Sequence, residues 1–330
     1  MTQYDVYGLG NALLDIECEV SPQILQDLGI EKGVMTLLDE AAQNKILSNL
    51  AIPPTKRACG GSAANTLISI SQLGGRAFYS CKVANDEPGQ FYFADLRECG
   101  VATNLEQHQP EPGITGKCLV FVTPDADRTM NTFLGISGNL SDVELVPEAI
   151  ENSAYTYIEG YLVTGENSKK AAIRAREIAQ AAGKKVAFTL ADPNMVKFFK
   201  PSLLEIIGPG VDFLFANESE ALQMAKTTDL KVAIEHLKTL AKGFAITRGP
   251  AGSLIFDGEN LIEIAPYPVK AIDTVGAGDI YAGAVLYGLT HNMSYAAAGK
   301  LGSMASSKLV TVLGPRLPKA ETQALLAQVN

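Results

Sequence analysis

The stretch Asp273–Asp279, which reads DTVGAGD, is followed at once by the apolar run Ile280–Leu289. A helix that is apolar on nearly every face is a buried helix, so this run is predicted to form a central helix of the fold. A short apolar strand is predicted to end near Pro268 and Val269, just before the stretch. The pattern therefore predicts a glycine-rich loop at the N-terminus of a buried helix.

The glycines make this loop suited to bind an anion. Gly276 and Gly278 leave the backbone unrestricted, so their amides and that of Ala277 can point into one cavity. The first amides of a helix lack partners within the helix, and its N-terminus carries partial positive charge, which favours a phosphate group. Asp279 lies in the same turn, where it can cap the helix or face an incoming hydroxyl group. From the glycines alone, a capped buried helix explains the pattern equally well.

Composition and charge bound the class of protein. The chain of 330 residues is long enough for one large α/β domain or two domains, and 47% of its residues are hydrophobic. The net charge of −9 argues against nucleic acid or an anionic membrane as a partner. The sequence shows no leader and no bilayer-spanning apolar run, and its five cysteines form no Cys-x-x-Cys pair. We therefore expect a cytoplasmic protein with reduced thiols.

The N-terminal strand ends in a polar segment. Tyr4–Gly10 reads as an apolar strand, but the following residues alternate apolar and acidic side chains, which is typical of a second strand and not of the helix that a dinucleotide site requires. Asn11 and Asp15 then stand at the end of a parallel strand, where open α/β sheets bind ligands. They can bind adjacent hydroxyl groups of a sugar, or they can be a turn asparagine and an exposed aspartate.

Two further patches read as short strands outside the main α/β pattern. One comprises Ile16–Val20 and Gly33–Leu38, and the other comprises Thr115–Thr123 and Arg128–Leu134, with a predicted turn at Asp125–Asp127. Together they are expected to form a small β-sheet lid, although the sequence does not show how they pair.

A second glycine pair precedes a regular alternation of strands and helices. Gly60–Asn65 reads GGSAAN and opens a predicted helix with Ser62 as its N-cap. The predicted strands that follow are Ala77–Val83, Tyr155–Ile158, Lys185–Leu190, Asp212–Ala216 and Gly243–Thr247. The predicted helices are Pro88–Glu98, Ser168–Ala182, Met195–Ile206, Glu218–Ala225 and Leu230–Ala241. This alternation predicts a parallel sheet, and Ser253–Asp257 with Leu261–Ala265 predict an antiparallel hairpin.

Two motifs and the order of the elements resemble the PfkB, or ribokinase-like, family of carbohydrate and nucleoside kinases. DTVGAGD at Asp273–Asp279 matches the family's C-terminal signature without a break, and GGSAAN at Gly60–Asn65 resembles its first signature. The resemblance implies an α/β fold with a mostly parallel central sheet flanked by helices and a small β-sheet lid. The body would comprise about residues 1–12, 40–110 and 136–330, and the inserted lid about residues 13–39 and 111–135.

The resemblance assigns the chemistry of phosphoryl transfer from ATP. Asp279 would be the catalytic base, and Gly276–Gly278 would form the anion hole. Asn217 and Glu220 resemble the Asn-x-x-Glu motif that organises Mg²⁺ and its waters, and carboxylate and amide oxygens suit this ion.

Further residues are implied near the nucleotide. Thr247, Arg248, Gly249 and Gly252 resemble the nucleotide turn of the family. No Walker A motif is present, so a basic residue from elsewhere should help to hold the phosphates. Arg128 lies where adenosine-kinase-like members carry a lid arginine, and Arg248 is the other candidate.

The acceptor is less closely defined. Asp15, Gly61 and Asn65 match residues that touch ribose in the adenosine-kinase-like branch, with Asn11 beside them, which favours adenosine or another nucleoside phosphorylated at its 5′-hydroxyl. A free sugar such as ribose or fructose stays open, as does a non-catalytic binding protein. The base pocket is expected to be apolar and aromatic.

A monovalent cation and the oligomeric state stay open as well. Asp273 matches one ligand of the monovalent cation that activates many members, but the segment Gly314–Pro318 lacks a serine that some ribokinases carry, which argues against potassium activation. The protein would be a monomer or a homodimer.

Overall fold

The structure, a computed structural model, describes residues 3–33, 35–50, 56–107, 110–125 and 128–329. The predicted turn at Asp125–Asp127 lies partly outside these residues, and so does the side chain of Arg128. The strands are β1 Tyr4–Leu9, β2 Leu13–Glu19, β3 Met35–Leu37, β4 Lys56–Gly60, β5 Ala77–Ser80, β6 Ala102–Thr103, β7 Lys117–Val122, β8 Arg128–Phe133, β9 Ser153–Glu159, β10 Lys185–Thr189, β11 Val211–Asn217, β12 Ala241–Thr247, β13 Ser253–Phe256 and β14 Leu261–Ile264.

The helices alternate with these strands over most of the chain. They are α1 Pro22–Asp27, α2 Glu40–Asn49, α3 Ser62–Gln72, α4 Glu87–Glu98, α5 Pro147–Glu151, α6 Glu166–Ala181, α7 Pro193–Ile207, α8 Glu218–Ala225, α9 Leu230–Leu237, α10 Ala277–Thr290, α11 Tyr295–Leu309 and α12 Lys319–Leu326. No helix in the described ranges is long and apolar enough to cross a membrane.

The central sheet has nine strands in the order β14-β13-β12-β11-β10-β9-β1-β5-β6. All neighbouring pairs from β12 to β6 are parallel, and β13 pairs antiparallel with both β12 and β14. Helices α5–α9 pack on one face and α3, α4, α10 and α11 on the other, which is why the strands are buried on both sides. The predicted parallel sheet and its hairpin are therefore confirmed.

The smaller sheet has five strands in the order β3-β8-β7-β2-β4. The strands predicted for the lid pair with one another here, with β7 and β8 antiparallel and β2 and β7 parallel. Strand β4 lies within residues 40–110, which the sequence analysis assigns to the body, yet it pairs antiparallel with β2. Its five residues, KRACG, are too short and too irregular to show a strand period.

Some predicted element bounds are wrong. The helix predicted to reach Ala241 ends at Leu237, because Ala241 already pairs with Val211 in the central sheet. The strand predicted near Pro268 does not form, since β14 ends at Ile264 and a proline has no amide hydrogen to donate to a strand neighbour. Helix α1 lies between the predicted strands Ile16–Val20 and Gly33–Leu38, where the sequence leads to no prediction of a helix.

Helices α3 and α10 lie side by side in the core. A Cβ atom on Gly283 of α10 would lie 2.6 Å from the carbonyl oxygen of Thr66 in α3, so this glycine allows the two backbones to approach closely. Residues from both helices contribute to one buried cluster, including Leu67, Ile68 and Val285. The N-termini of the two helices consequently open towards the same cavity.

Candidate active site

A cavity of about 550 Å³ lies at the carboxyl ends of the central strands and faces the small sheet. Ligands of open α/β sheets bind at this edge. Ten of the predicted site residues line the cavity, namely Asn11, Asp15, Gly61, Asn65, Asn217, Glu220, Thr247, Gly276, Gly278 and Asp279. The two glycine turns, which are more than 200 residues apart in the chain, therefore meet at one site.

The carboxylate of Asp279 is held by the first turn of α3. Its Oδ1 accepts a hydrogen bond from the hydroxyl of Ser62 at 2.7 Å, and its Oδ2 accepts one from Nδ2 of Asn65 at 3.1 Å. Burial raises the pKa of Asp279 to about 6, although both hydrogen bonds favour the charged form. Such a carboxylate is largely ionised near neutral pH and is a better base than an exposed aspartate.

Ser62 is not the helix cap that the sequence predicts. Gly61 is the N-cap of α3 and supplies no side-chain cap, so Ser62 is the first helical residue. Its hydroxyl is consequently available to donate to Asp279. The side-chain amide of Asn65 also has an acceptor that is not in use. Its Oδ1 is buried and has no hydrogen-bond partner in the described structure. That oxygen can accept a hydrogen bond from a bound hydroxyl group.

Both glycine turns depend on backbone conformations that favour glycine. Gly61 has a φ of 98°, and a Cβ atom there would lie 2.2 Å from the carbonyl oxygen of Asn11. Gly276, the N-cap of α10, has a φ of 76°, and a Cβ atom there would lie 2.9 Å from the Cα of Pro315. Gly61 thus brings the start of α3 against Asn11, and Gly276 brings the start of α10 against Pro315.

Glu159 is a site residue that the sequence analysis does not single out. This buried side chain at the end of β9 accepts hydrogen bonds from the amide of Asn11 at 2.6 Å and the amide of Ala63 at 2.8 Å. Burial raises the pKa of Glu159 to about 7. It also lines the cavity. The available signal is a carboxylate at the end of the otherwise apolar strand SAYTYIE.

Asn217 and Glu220 form a capping box at the N-terminus of α8. The side chain of Asn217 accepts from the amide of Glu220 at 2.8 Å, and the amide of Asn217 donates to Oε2 of Glu220 at 3.0 Å. Burial raises the pKa of Glu220 to about 7. The pair is thus a structural cap whose carboxylate also reaches the cavity, near the cavity-lining Asp192.

Five of the predicted site residues do not line the cavity: Ala277, Arg248, Gly249, Gly252 and Asp273. Nε of Arg248 donates to Glu218 at 3.1 Å, and Arg248 also forms an ion pair with Glu263. Because two carboxylates hold this guanidinium outside the cavity wall, the structure does not bring it to the site. Asp273 is buried, and its carboxylate accepts from the amides of Val275 and Gly314.

The small sheet supplies the apolar wall of the cavity. The side chains are Leu13, Met35, Leu37, Cys118, Met130, Thr132 and Leu134. Apart from the hydroxyl-bearing Thr132, they are aliphatic or carry sulfur, whereas the sequence leads us to expect aromatic residues as well. The aromatic side chains of the lining, Tyr161, Phe215 and Tyr281, belong to the body instead.

Comparison with known proteins gives similarities over nearly the whole chain. The profile of the pfkB family carbohydrate kinases matches residues 47–323. The structure of adenosine kinase from Sinorhizobium meliloti is 35% identical, with a TM-score of 0.91, and the match covers 99% of this chain and 100% of that one. The structure of a probable sugar kinase from Rhizobium etli CFN 42 is 32% identical, with a TM-score of 0.92 and coverage of 100% of both chains. Adenosine kinase from Dictyostelium discoideum is 27% identical over 97% of this chain and 98% of that protein.

Proposed function

Because this chain belongs to the pfkB family of carbohydrate kinases, it is an ATP-dependent kinase that acts on an alcohol group, and we propose that its acceptor is the 5′-hydroxyl of a nucleoside, with adenosine as the first candidate. Its relatives include both adenosine kinases and sugar kinases, so the acceptor has to be argued from the cavity itself.

The observation that carries the proposal is the contact between the two glycine turns. Asp279, in the turn that would receive the phosphates, is hydrogen bonded to Ser62 and Asn65 in the turn that would receive the acceptor. A hydroxyl group bound at Asn65 would lie beside the carboxylate that takes its proton. Positioning of this kind supplies much of the rate of phosphoryl transfer, because the loose transition state needs little covalent help.

The apolar wall favours a nucleoside over a free sugar. Leu13, Met35, Leu37 and Met130 stand opposite the polar groups of the body and offer a surface that suits the faces of a purine ring. Asn11 and Asp15 line the same cavity as this wall and Asp279, and they would bind the ribose hydroxyls. A free sugar would leave the apolar wall uncovered.

The remaining lining residues fit the donor side. The amides at Gly276–Gly278 begin α10, so they would stabilise negative charge on the transferred phosphoryl group. Thr247 ends β12 at the same edge and would contact the nucleotide. Glu220 would hold Mg²⁺ through water, and the bound ion would neutralise phosphate charge. Arg128, at the start of β8, remains the candidate lid cation.

A sugar kinase is the second candidate function. The cavity carries Asn11, Asn65 and Glu159 on the body side and Asp15 on β2 of the small sheet, which are enough polar groups to bind the hydroxyls of a free ribose or fructose. The relative from Rhizobium etli, a probable sugar kinase, favours the same alternative.

The decisive experiment measures ADP release from Mg·ATP with adenosine, 5′-deoxyadenosine, ribose and fructose, with and without potassium. We expect turnover with adenosine, none above background with 5′-deoxyadenosine, and a phosphorus NMR signal of a 5′-monophosphate. Since the segment Gly314–Pro318 lacks the serine that some ribokinases carry, we expect little effect of potassium. Turnover with sugars alone would overturn the nucleoside proposal.

Two variants sharpen this test within one chain. Met130→Ala shortens the apolar wall and should raise KM for adenosine roughly tenfold, with little change for ribose. Asp15→Asn removes a charged acceptor for hydroxyl groups and should raise KM for any ribose-containing acceptor. Equal effects of Met130→Ala on adenosine and ribose would contradict the assignment of the apolar wall to the base.

A further inference from the structure

Two cysteines and an arginine form a cluster next to the active site. Cys59 is the last-but-one residue of β4, directly before Gly60 and Gly61, and its thiol is buried. Cys99 follows the last residue of α4 and is partly exposed. The guanidinium of Arg316 reaches both thiols, with Nη2 at 2.9 Å from Sγ of Cys59 and Nη1 at 3.7 Å from Sγ of Cys99.

An aspartate completes the cluster. Oδ2 of Asp95 accepts from Nη1 of Arg316 at 3.0 Å and from the amide of Cys59 at 2.6 Å. Nε of Arg316 is buried and has no hydrogen-bond partner in the described structure. One largely buried cation therefore contacts two sulfur atoms and a carboxylate. Its positive charge favours a thiolate, whereas the charge of Asp95 opposes one.

We propose that Cys59 and Cys99 are a peroxide-sensitive thiol pair whose oxidation to a disulfide lowers the kinase activity. Cys99 is the attacking thiol because it is partly exposed and lies beside Arg316, and Cys59 is the resolving thiol because it is buried within the same cluster. None of the contacts of the proposed phosphoryl transfer involves either sulfur.

The electrostatics support this division of roles. The hydrogen bond with Cys59, followed by the charge of Arg316, lowers the pKa of Cys99 below its ordinary value, even though burial acts against this. Burial raises the pKa of Cys59 above its ordinary value. The proton of the pair is consequently held on Cys59 until Cys99 has reacted.

The reaction consumes one hydrogen peroxide for each disulfide. The Cys99 thiolate attacks one peroxide oxygen, the O–O bond breaks, and the departing hydroxide takes up a proton to give water and Cys99 sulfenic acid. The sulfur of Cys59, losing its proton, then attacks Sγ of Cys99, and the S–O bond breaks with release of a second water. The two thiols lose two electrons in total, and the peroxide gains them.

A disulfide would disturb both glycine turns. An S–S bond of about 2.05 Å is much shorter than a hydrogen bond between two thiols, so the two sulfur atoms have to move closer together within their contacts with Arg316. On one side, Cys59 is directly followed by Gly60 and Gly61, which lead into the residues that hold Asp279. On the other side, Arg316 follows Pro315, whose Cα lies against Gly276. Small misplacements of such groups lower turnover markedly, and we expect a roughly tenfold loss of kcat/KM.

The first test maps the bond and does not depend on which acceptor the kinase uses. The full-length protein is treated with hydrogen peroxide, alkylated and digested with trypsin. The tryptic peptides Ala58–Arg76 and Glu98–Lys117 each contain a single cysteine, so the expected product is one linked species that dithiothreitol separates. Oxidation confined to other cysteines, or of Cys99 without a link to Cys59, would overturn the proposal.

The second test measures activity with whichever acceptor supports turnover. Cys99→Ser should keep the basal rate and lose the peroxide effect, whereas the control Cys18→Ser, buried in the core of the small sheet, should respond like the wild type. Dithiothreitol should restore the oxidised wild type. Equal inactivation of Cys99→Ser and wild type would contradict the proposal. If Cys99→Ser does not fold, the peptide map of the wild-type protein decides.

Discussion

Helices α3 and α10 begin in the same unusual way, whereas helix α8 begins in the ordinary way. Gly61 and Gly276 are N-caps with positive φ and no side-chain hydrogen bond, so the first amides of both helices are left for other partners. Asn217 caps α8 with its side chain and forms a capping box with Glu220. All three helix starts line one cavity, but only the two glycine turns are joined through a shared carboxylate.

This difference indicates which helix N-termini are available to bind a ligand and which are already stabilised by their own cap. A capped helix start satisfies its own amides and is stable without a ligand. An uncapped start on glycine leaves amides that an anion or a neighbouring segment must satisfy. In this kinase, the turn of α10 would meet the phosphates and the turn of α3 the acceptor. The capping box of Asn217 and Glu220 keeps α8 in place beside them, and from this fixed position Glu220 would hold Mg²⁺ through water.

The largest effect on turnover is expected when Asp279, in the glycine turn of α10, loses its charge. Asp279→Asn should lower kcat about 10³-fold, because the proposed base is lost while the size of the side chain is kept. The values of KM for ATP and acceptor should stay close to those of the wild type. Steady-state kinetics measure both.

A matched variant in the other turn makes this result specific. Ser62→Ala removes one of the two hydrogen bonds to Asp279 and leaves the base in place. We expect a loss of roughly tenfold in kcat, far less than for Asp279→Asn. Turnover at the wild-type level in Asp279→Asn would refute the role of the carboxylate, and equal losses in both variants would show that its position alone matters.

The next effect comes from crowding the turns themselves. Gly61→Ala places a methyl group 2.2 Å from the carbonyl oxygen of Asn11 and should raise KM for the acceptor on the order of tenfold or more. In Gly276→Ala, the added methyl group would contact Pro315. This variant should mainly raise KM for ATP and lower kcat. Kinetic titration of each substrate distinguishes the two.

Gly74→Ala is the control for backbone strain alone. Gly74 has a φ of 101°, close to that of Gly61, but a Cβ atom there would meet nothing within 4 Å. This variant should lose on the order of 1 kcal/mol of stability and keep its kinetic constants. If Gly74→Ala changed KM as much as Gly61→Ala, close approach to Asn11 would not be the reason for the glycine.

A smaller effect is expected at Glu159, which connects the segments of Asn11 and Ala63 to the end of β9. Glu159 accepts from the amides of Asn11 and Ala63, and a glutamine can accept from only one of them with its single oxygen. Glu159→Gln should therefore raise KM for the acceptor roughly tenfold, with a smaller change in kcat. Glu148→Gln, on the exposed surface of α5, is the control and should leave both constants unchanged. If Glu159→Gln changed kcat alone, the proposal that Glu159 positions the acceptor-binding residues would be wrong.

The sequence predicts those features that a short segment defines by itself. The parallel sheet follows from alternating periods, and the two glycine motifs and Asp279 are each contained within a few residues. The pairing of β4 is missed because its five residues carry no period of their own. The predicted cap at Ser62 is wrong because its hydroxyl has a tertiary partner, 217 residues away, in place of a local one.

Other features depend on segments that meet only in the folded chain. Glu159 acts on an amide 148 residues earlier, and Arg316 reaches a sulfur atom 257 residues earlier. No local pattern identifies such a partner, since the residue type alone fits a surface position equally well. For the same reason the ion pairs of Arg248 with Glu218 and Glu263, which hold it away from the cavity, could not be foreseen from its motif.

The smallest predicted effect concerns stability and has a definite sign. Burial raises the pKa of Asp279 to about 6, above its ordinary value of 3.8, so the folded protein holds this proton more tightly than the unfolded chain does. The tighter binding of this proton contributes to the free energy of unfolding. The contribution is fully present below pH 3.8 and is lost as the pH rises through about 6. Near pH 7.5 the wild type therefore carries an ionised carboxylate that Asp279→Asn lacks. We expect the variant to be more stable there by on the order of 1 kcal/mol, since water in the cavity screens part of the charge.

Thermal unfolding of the ligand-free wild type and Asp279→Asn between pH 5 and 8 tests this prediction. The melting temperature of the variant should exceed that of the wild type by an amount that grows with pH. Asp39→Asn, which keeps a capping side chain at the N-terminus of α2, is the control and should follow the wild type. A variant less stable than the wild type at every pH would mean that the hydrogen bonds from Ser62 and Asn65 outweigh the cost of burying the charge. The contact between the two glycine turns would then stabilise the empty site as well as prepare it for the proposed reaction.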